Sequence, residues 1–356
     1  MKNRVVVGLS GGVDSAVSAL LLKEQGWDVI GVFMNNWQET DENGVCSAVD
    51  DWGDVRDVCD RIGIPYYSIS FAQEYMDRVF SYFLEEYRKG RTPNPDVLCN
   101  REIKFSAFLD LALQLDAEKM ATGHFVRTDE AGHLLRGADA NKDQSYFLYM
   151  VHDAQLRHAL FPVGGMAKQE VRRIAEAHGL PVSRKKDSTG ICFIGERNFK
   201  KFLQGYLPAQ PGDMVTPDGK RVGRHDGLMY YTLGQRRGLG IGGCGDGRSW
   251  FVADKDLPGN RLIVVQGEDH PLLYSRAALC EDVTWVAEAM PEGEPFRCAC
   301  KYRYRQADQG VTAEVRDGRL LLTCDVPQRA VTPGQSAVLY QGERCIGGGV
   351  VSQVIR

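Results

Sequence analysis

The chain has 356 residues, more than one hydrophobic core ordinarily organises, so two or three domains are expected. Its 43% hydrophobic and 25% charged residues are ordinary for a globular protein, and no apolar run approaches the length of a membrane span. With 43 Lys+Arg against 47 Asp+Glu the formal charge is -4, so a nucleic-acid partner would need local basic patches rather than bulk charge.

In chain order, the apolar run Val5–Leu9 reads as a buried parallel strand rather than a signal peptide, because no small-residue cleavage site follows it. Ala16–Gln25 is a helix ending at Gly26, Val29–Met34 a second strand, and Asp50–Arg61 a helix ending at Gly63. A strand around Tyr66–Ile69 and a long amphipathic helix Phe71–Lys89 follow, then a helix Ile103–Leu115 and a strand Lys119–Thr122. Alternating strands and helices predict βαβ units around a parallel sheet covered on both faces. Lys168–His178 and Asn198–Gly205 read as helices. From about Pro208 the turn signals Pro211-Gly212-Asp213, Pro217-Asp218-Gly219 and Pro258-Gly259-Asn260 separate short β-rich runs. From about Leu279 onward, regular alternating runs predict a small β-barrel. The predicted fold class is therefore α/β, with domains over 1–205, 206–275 and 276–356; part of 150–185 is expected to pack with the central domain.

The strongest local signal is Ser10-Gly11-Gly12-Val13-Asp14-Ser15, between an apolar strand and a helix. It places backbone N–H groups, two glycines and two hydroxyls at a helix N-terminus, where an anion is favoured. A plain Ser-capped turn is the bland alternative. The Gly-Lys-Ser/Thr ending of the Walker loop is missing, which disfavours transfer of a terminal phosphate. The loop looks instead like the PP-loop of enzymes that split ATP between its α- and β-phosphates. It names a chemistry, not a substrate. Gly238-Leu-Gly240-Ile-Gly-Gly243 matches a dinucleotide pattern, but neither a clean strand nor a helix flanks it, so a glycine-rich loop is the better reading.

The ten Cys are scattered without a Cys-x-x-Cys pair, so a reduced, cytoplasmic state is expected, with neither zinc nor an iron–sulfur cluster. Two thiols lie in informative surroundings. Arg91-Thr-Pro-Asn94-Pro95-Asp96-Val-Leu-Cys99-Asn100 carries two prolines and reads as a stiff loop before the Ile103 helix. A thiol at a helix N-terminus has a lowered pKa, so Cys99 is either a reactive thiol or a structural one. Cys192, in Asp187-Ser-Thr-Gly190-Ile-Cys192-Phe-Ile-Gly195, follows Arg184-Lys185-Lys186; it too is either activated by those cations or an inert β-strand thiol. Lys301, Arg303 and Arg305 alternate with Tyr302 and Tyr304, which on a strand would put cations on one face and aromatics on the other, suited to phosphate contact. His124, after a strand beside the predicted nucleotide site, reads as a structural histidine.

Taken together, the motifs resemble the tRNA-specific 2-thiouridylases (the MnmA/TrmU family). The resemblance runs from residue 4 to residue 353 and rests on Gly8–Ser15, Gly90–Asn100, Ala121–His124, Asn141–Leu148, Lys186–Gly195, Tyr231–Gly242, Arg303–Gln306 and Val331–Ala337. Leu9 stands where methionine is common and Tyr302 where a smaller residue is usual; neither removes a reacting group. The resemblance implies an adenine nucleotide alpha hydrolase-like PP-loop domain, a small central domain and a C-terminal β-barrel. It implies that Gly8, Leu9, Ser10, Gly11, Gly12, Val13, Asp14 and Ser15, with Met34 and Gly123, bind ATP. Asn94, Pro95 and Asp96 would meet the target uridine, and Lys142, Asp143, Gln144, Arg303 and Tyr304 the tRNA. Cys99 would be the nucleophile and Cys192 the persulfide carrier; Asp96, three residues from Cys99, is positioned to serve as a general acid/base. The implied partners are tRNA and sulfur-relay proteins fed by a cysteine desulfurase, with Mg²⁺ accompanying ATP. The competing readings are an amidating PP-loop ligase, which would need neither cysteine, and a nucleotide-dependent RNA-gripping protein without turnover.

Overall fold

The computed structural model describes residues 3–37, 47–187, 199–242 and 245–356, the side chains of Ser47, Ala48 and Phe199 excepted. Cys192 lies outside the described residues.

Three sheets organise the described chain. The first is wholly parallel, in the order Tyr66–Ser70, Asp28–Asn35, Arg4–Leu9, Lys119–Ala121, Ala159–Leu160. Its central strand is apolar and buried from Val5 onward because both faces are covered. Val5, Val7 and Leu9 pack with Ala19, Leu22 and Val55 on one side, while Val6 joins Phe83, Ile103 and Phe108 on the other. Chain direction along the sheet reverses beside Arg4–Leu9, and the crevice at the carboxyl ends there is where such sheets take ligands.

The second sheet is four-stranded, in the order Trp250–Asp256, Arg261–Gln266, Gly212–Val215, Arg221–His225, with its own core of Met214, Leu228, Val252, Leu262 and Val264. Residues 234–242 form turns there, with Gly238 and Gly240 at positive φ and Leu239 buried in that core.

The third sheet is antiparallel. Tyr274–Trp285, Arg319–Arg329, Gln309–Arg316, Phe296–Lys301, Ser336–Gln341 and Arg344–Ile355 follow one another, and the last pairs back with the first to close a barrel. Closure removes exposed edges. A hairpin unforeseen from the sequence, Val126–Thr128 with Leu134–Arg136, leaves the first unit and joins this sheet through Leu135 opposite Arg344. Among the described residues no helix is long and apolar enough to cross a membrane.

Two expected loops and strands are corrected. The segment expected as a stiff loop up to Ile103 is helical from Pro95: Pro95–Cys99, then Asn100–Ala107 in π geometry, then Phe108–Gln114. The reason is local. Asn94 is the N-cap, its side chain accepting from the Asp96 amide at 3.2 Å, and Pro95 occupies the first helical position, where its missing N–H costs nothing. The expected strand through Arg305 ends at Lys301, and the chain then turns. Cations and aromatics therefore do not face opposite ways across a sheet. Lys301, the last residue of its strand, approaches Asp143 at 3.9 Å, Tyr302 is buried, and Arg303 and Arg305 are exposed.

Candidate active site

The phosphate loop leaves the carboxyl end of Arg4–Leu9 and opens the helix Val13–Glu24. Its hydroxyls hold it together: the Ser10 amide donates to Ser15 Oγ at 3.2 Å, the two Oγ atoms lie 3.3 Å apart, and Ser15 Oγ donates to the Gly12 carbonyl at 3.1 Å. Gly11 adopts a φ of 73°, and a Cβ there would meet the Asp51 carbonyl at 2.9 Å. Gly123 closes the other side. A Cβ on it would sit 2.6 Å from the Ser15 amide, so only glycine lets this strand end reach the loop. Met34 covers Gly8, with its Cε at 3.0 Å from where a Cβ would stand. The structure thus gathers all ten predicted nucleotide residues at one sheet edge.

Asp14 is the carboxylate of this loop. Its Oδ1 accepts from Lys168 Nζ at 2.6 Å. Lys168 reaches Asp187 at 2.8 Å, and Asp187 also pairs with Lys142 at 2.5 Å and Arg172 at 2.7 Å. Burial raises the Asp14 carboxyl above its ordinary pKa, against the lowering pull of the Lys168 hydrogen bond and charge. Burial also pushes Asp187 up, but the hydrogen bonds from Lys142 and Lys168 prevail and hold it at about 2. On the far side of the loop, Lys185 bridges Asp51 at 2.7 Å and Asp54 at 2.5 Å.

The Cys99 helix runs antiparallel to the central strand. Near its far end the Leu115 carbonyl accepts from Arg4 at 3.0 Å, and Phe108 packs over Gly8. Cys99 stands nine residues before Phe108 on the same continuous helix, on the side of Phe108 away from Leu115 and Arg4. The thiol is fully buried. Burial, with a smaller push from Asp96 and against Lys104, moves its pKa up to about 11. The expected lowering fails in this conformation because Cys99 closes the first helical segment, facing the core, instead of preceding a helix start. Asp96 is half-buried one helical turn away, on the same side as Cys99.

The loop before Asn94 is clamped by the barrel. The Thr92 amide donates to the Pro333 carbonyl at 2.9 Å, and Gln335 Nε2 donates to the Thr92 carbonyl at 2.7 Å. Gly334, at a φ of 91°, comes so close that a Cβ would lie 2.7 Å from the Thr92 amide. These contacts assign a place to the Val331–Ala337 motif, for which the sequence suggested no role. Two further predicted segments also meet: the Tyr304 hydroxyl donates to the Lys142 carbonyl at 3.3 Å. Their neighbours point inward. Asp143 is buried, accepting from the amides of Gly137 at 3.0 Å and Ser145 at 3.1 Å, and Gln144 Oε1 accepts from the Phe125 amide at 2.8 Å. Arg303 is exposed and donates to the Ala330 carbonyl at 2.8 Å. His124 Nδ1 lies 2.8 Å from Thr122 Oγ1, and burial drives its pKa well down, so the ring is neutral. Cys280 and Cys300 are buried in the barrel core beside Cys298 and Cys324. Among the described residues, no group of three or more His, Cys, Asp or Glu is placed to hold a metal ion.

Comparison with known proteins sets this geometry in a family. The chain is 58% identical over 360 residues to the tRNA-specific 2-thiouridylase MnmA of Alkaliphilus oremlandii, covering 99% of this chain and 98% of that protein. It is 60% identical over 357 residues to the protein of the same name from Lactococcus lactis subsp. cremoris, covering 98% and 95%. It belongs to the tRNA-specific 2-thiouridylase family. Family models match in three stretches: a tRNA methyl transferase HUP domain over residues 3–196, a tRNA methyl transferase PRC-barrel domain over 200–266, and an aminomethyltransferase beta-barrel domain over 275–351. These descriptions speak of methyl transfer and the relatives' names of thiolation. A methyl donor of the sulfonium type has no need of a polyphosphate cradle, so the loop geometry accords with the 2-thiouridylase name.

Proposed function

We propose that the chain is a tRNA uridine 2-sulfurtransferase that adenylates O2 of the wobble uridine with ATP and replaces that oxygen with sulfur. The reading is supported by one observation: a single continuous helix carries Asp96 and Cys99 at its start and, further along, Phe108, which packs on Gly8 at the base of the phosphate loop. One element thus ties a thiol and a carboxylate to the loop expected to bind the nucleotide.

The chemistry explains why both belong in one site. Uridine O2 is a poor leaving group on a ring carbon that resists nucleophiles. Attack of O2 on the α-phosphorus breaks the bond to pyrophosphate and leaves AMP on O2. Sulfur attack at C2 then expels AMP. The loop amides and the Val13–Glu24 helix end would hold the departing pyrophosphate. If Mg²⁺ accompanies the nucleotide, Asp14 would be the carboxylate available to hold it, and the ion would supply charge neutralisation of the phosphates.

Cys192 receives a persulfide from sulfur-relay proteins fed by a cysteine desulfurase. The terminal sulfur reaches C2 either directly or as sulfide released by Cys99. In both routes the Cys99 thiolate attacks Cys192 Sγ, a Cys99–Cys192 disulfide forms, and a thiol reductant restores the pair. Asp96 exchanges the protons. Because Cys99 is sealed in the core, substrate binding must open its surroundings first. The wobble base must also leave the anticodon stack, which costs least in a single-stranded loop. Arg303, Tyr304 and Lys142 supply the neighbouring tRNA surface.

The test is to incubate the protein with unmodified tRNA, ATP, Mg²⁺ and a persulfide or sulfide source, digest the RNA and weigh its nucleosides. 2-Thiouridine is expected. Its absence with folded protein and a cognate tRNA overturns the reading.

A further inference from the structure

Lys168 has no motif around it, yet the fold places it at the phosphate loop. It begins the helix Lys168–Ala177, and its amide donates to Asp139 Oδ2 at 3.0 Å, which fixes where that helix starts. The side chain is buried, and its Nζ lies 5.7 Å from the centre of the Phe125 ring. From there Nζ touches Asp14 Oδ1 at 2.6 Å and Asp187 Oδ1 at 2.8 Å.

An ammonium carries three N–H groups. Asp14 and Asp187 use two, and among the described residues the third meets no acceptor oxygen. The ion pairing points in the same direction. Among the described residues, the side chains of Lys142, Lys168 and Arg172 pair with two carboxylates, Asp14 and Asp187, while Asp139 is taken by the Lys168 backbone amide. A buried ion pair gains little in stability over apolar packing of similar volume, so stability alone is a weak reason for a buried lysine with a donor to spare. An anion arriving at the loop would meet the Asp14 carboxylate and be repelled unless a cation stood beside it.

We propose that Lys168 is a polyphosphate-binding residue of the adenylation step, its Nζ shared between Asp14 and the pyrophosphate end of ATP. This rests on the ATP-using reading above, but its test needs neither tRNA nor sulfur. The Asp187 carboxylate competes with the phosphate for the same ammonium and so sets how much of it the nucleotide can recruit.

The full chain is titrated calorimetrically with sodium pyrophosphate, ATP and adenosine, as wild type, Lys168→Gln, Lys168→Arg and Asp187→Asn, with thermal unfolding to confirm folding. Lys168→Gln is expected to weaken pyrophosphate and ATP by at least about tenfold while adenosine stays within about twofold; Lys168→Arg restores part of the loss. Asp187→Asn is expected to tighten pyrophosphate by about threefold, which a structural bridge alone would not do. The proposal is overturned if wild type does not bind pyrophosphate. It is equally overturned if folded Lys168→Gln binds it as wild type does, or loses adenosine in parallel. Should the Gln variant not fold, Asp187→Asn decides, and unchanged or weaker pyrophosphate binding refutes the assignment. Failure of thiolation with these affinities intact would strike the sulfurtransferase reading and leave Lys168 standing.

Discussion

The phosphate loop and the cysteine helix are tied together through Phe108 on Gly8 but stand in opposite states. At the loop, Ser10 and Ser15 already brace each other, Gly123 is docked, and Asp14 is held by Lys168 at 2.6 Å. At the helix, Cys99 has no accessible surface and its thiol is pushed up to about 11. The first end is ready for its ligand. The second is sealed until something opens it. The difference fits an ordered reaction in which adenylation precedes sulfur transfer. A protonated, buried thiol reacts slowly with stray oxidants and electrophiles, because the thiolate is the reactive form.

The largest effect should come from separating the two ends genetically. Cys99→Ala is expected to lower 2-thiouridine formation by at least about 10³-fold, as loss of a nucleophile does, while calorimetric ATP affinity holds within about twofold. A parallel fall in ATP affinity would dissolve the distinction. The second effect concerns reactivity. With a pKa of about 11, roughly one Cys99 in a thousand is thiolate at pH 8, so iodoacetamide should label it slowly in the free enzyme. Labelling, followed by peptide mass, should quicken about tenfold per pH unit towards 11 and quicken again when tRNA and ATP are added at fixed pH. Fast labelling at neutral pH without substrates would show that the thiol is not sealed.

Asp14→Asn comes next. It should cost about 10²-fold in ATP–pyrophosphate exchange while tRNA binding stays intact, and an unchanged exchange rate would remove Asp14 from the loop's chemistry. Gly334→Ala forces a side chain onto a backbone at a φ of 91° and into the Thr92 amide, at a cost of about 1–3 kcal/mol. Thermal unfolding should register it, and thiolation should suffer more than ATP affinity, since the clamp holds the cysteine end. The smallest effect is expected of Tyr304→Phe. Losing its hydrogen bond to Lys142 should cost about 0.5–1.5 kcal/mol, read as a several-fold weaker tRNA affinity with ATP affinity unchanged.

Legibility in the sequence divided along the same line. The phosphate loop could be read because its signal is local: an apolar strand, two glycines, two hydroxyls and a helix start occupy consecutive positions. The cysteine segment was misread in detail although its residues were singled out. Two prolines suggested a loop, but Asn94 as cap and Pro95 at the first helical position are equally the marks of a helix start. That shift of one structural class moved Cys99 from an activated end to a buried turn. At Lys301–Arg305 alternation suggested a strand, yet Tyr302 enters the barrel core, its hydroxyl 3.2 Å from Cys324 Sγ, and the chain turns instead.

Residue order alone determined the parallel sheet, the barrel, the anion loop and which thiols were worth watching, because these depend on periodicities and neighbours a few positions apart. Tertiary structure alone decided that Lys168 stands beside Asp14, 154 residues away, that Gly334 grips Thr92, and that Cys99 is shut in. Desolvation and long-range charge pairing depend on which surfaces the fold brings together, and no local pattern of side chains encodes that.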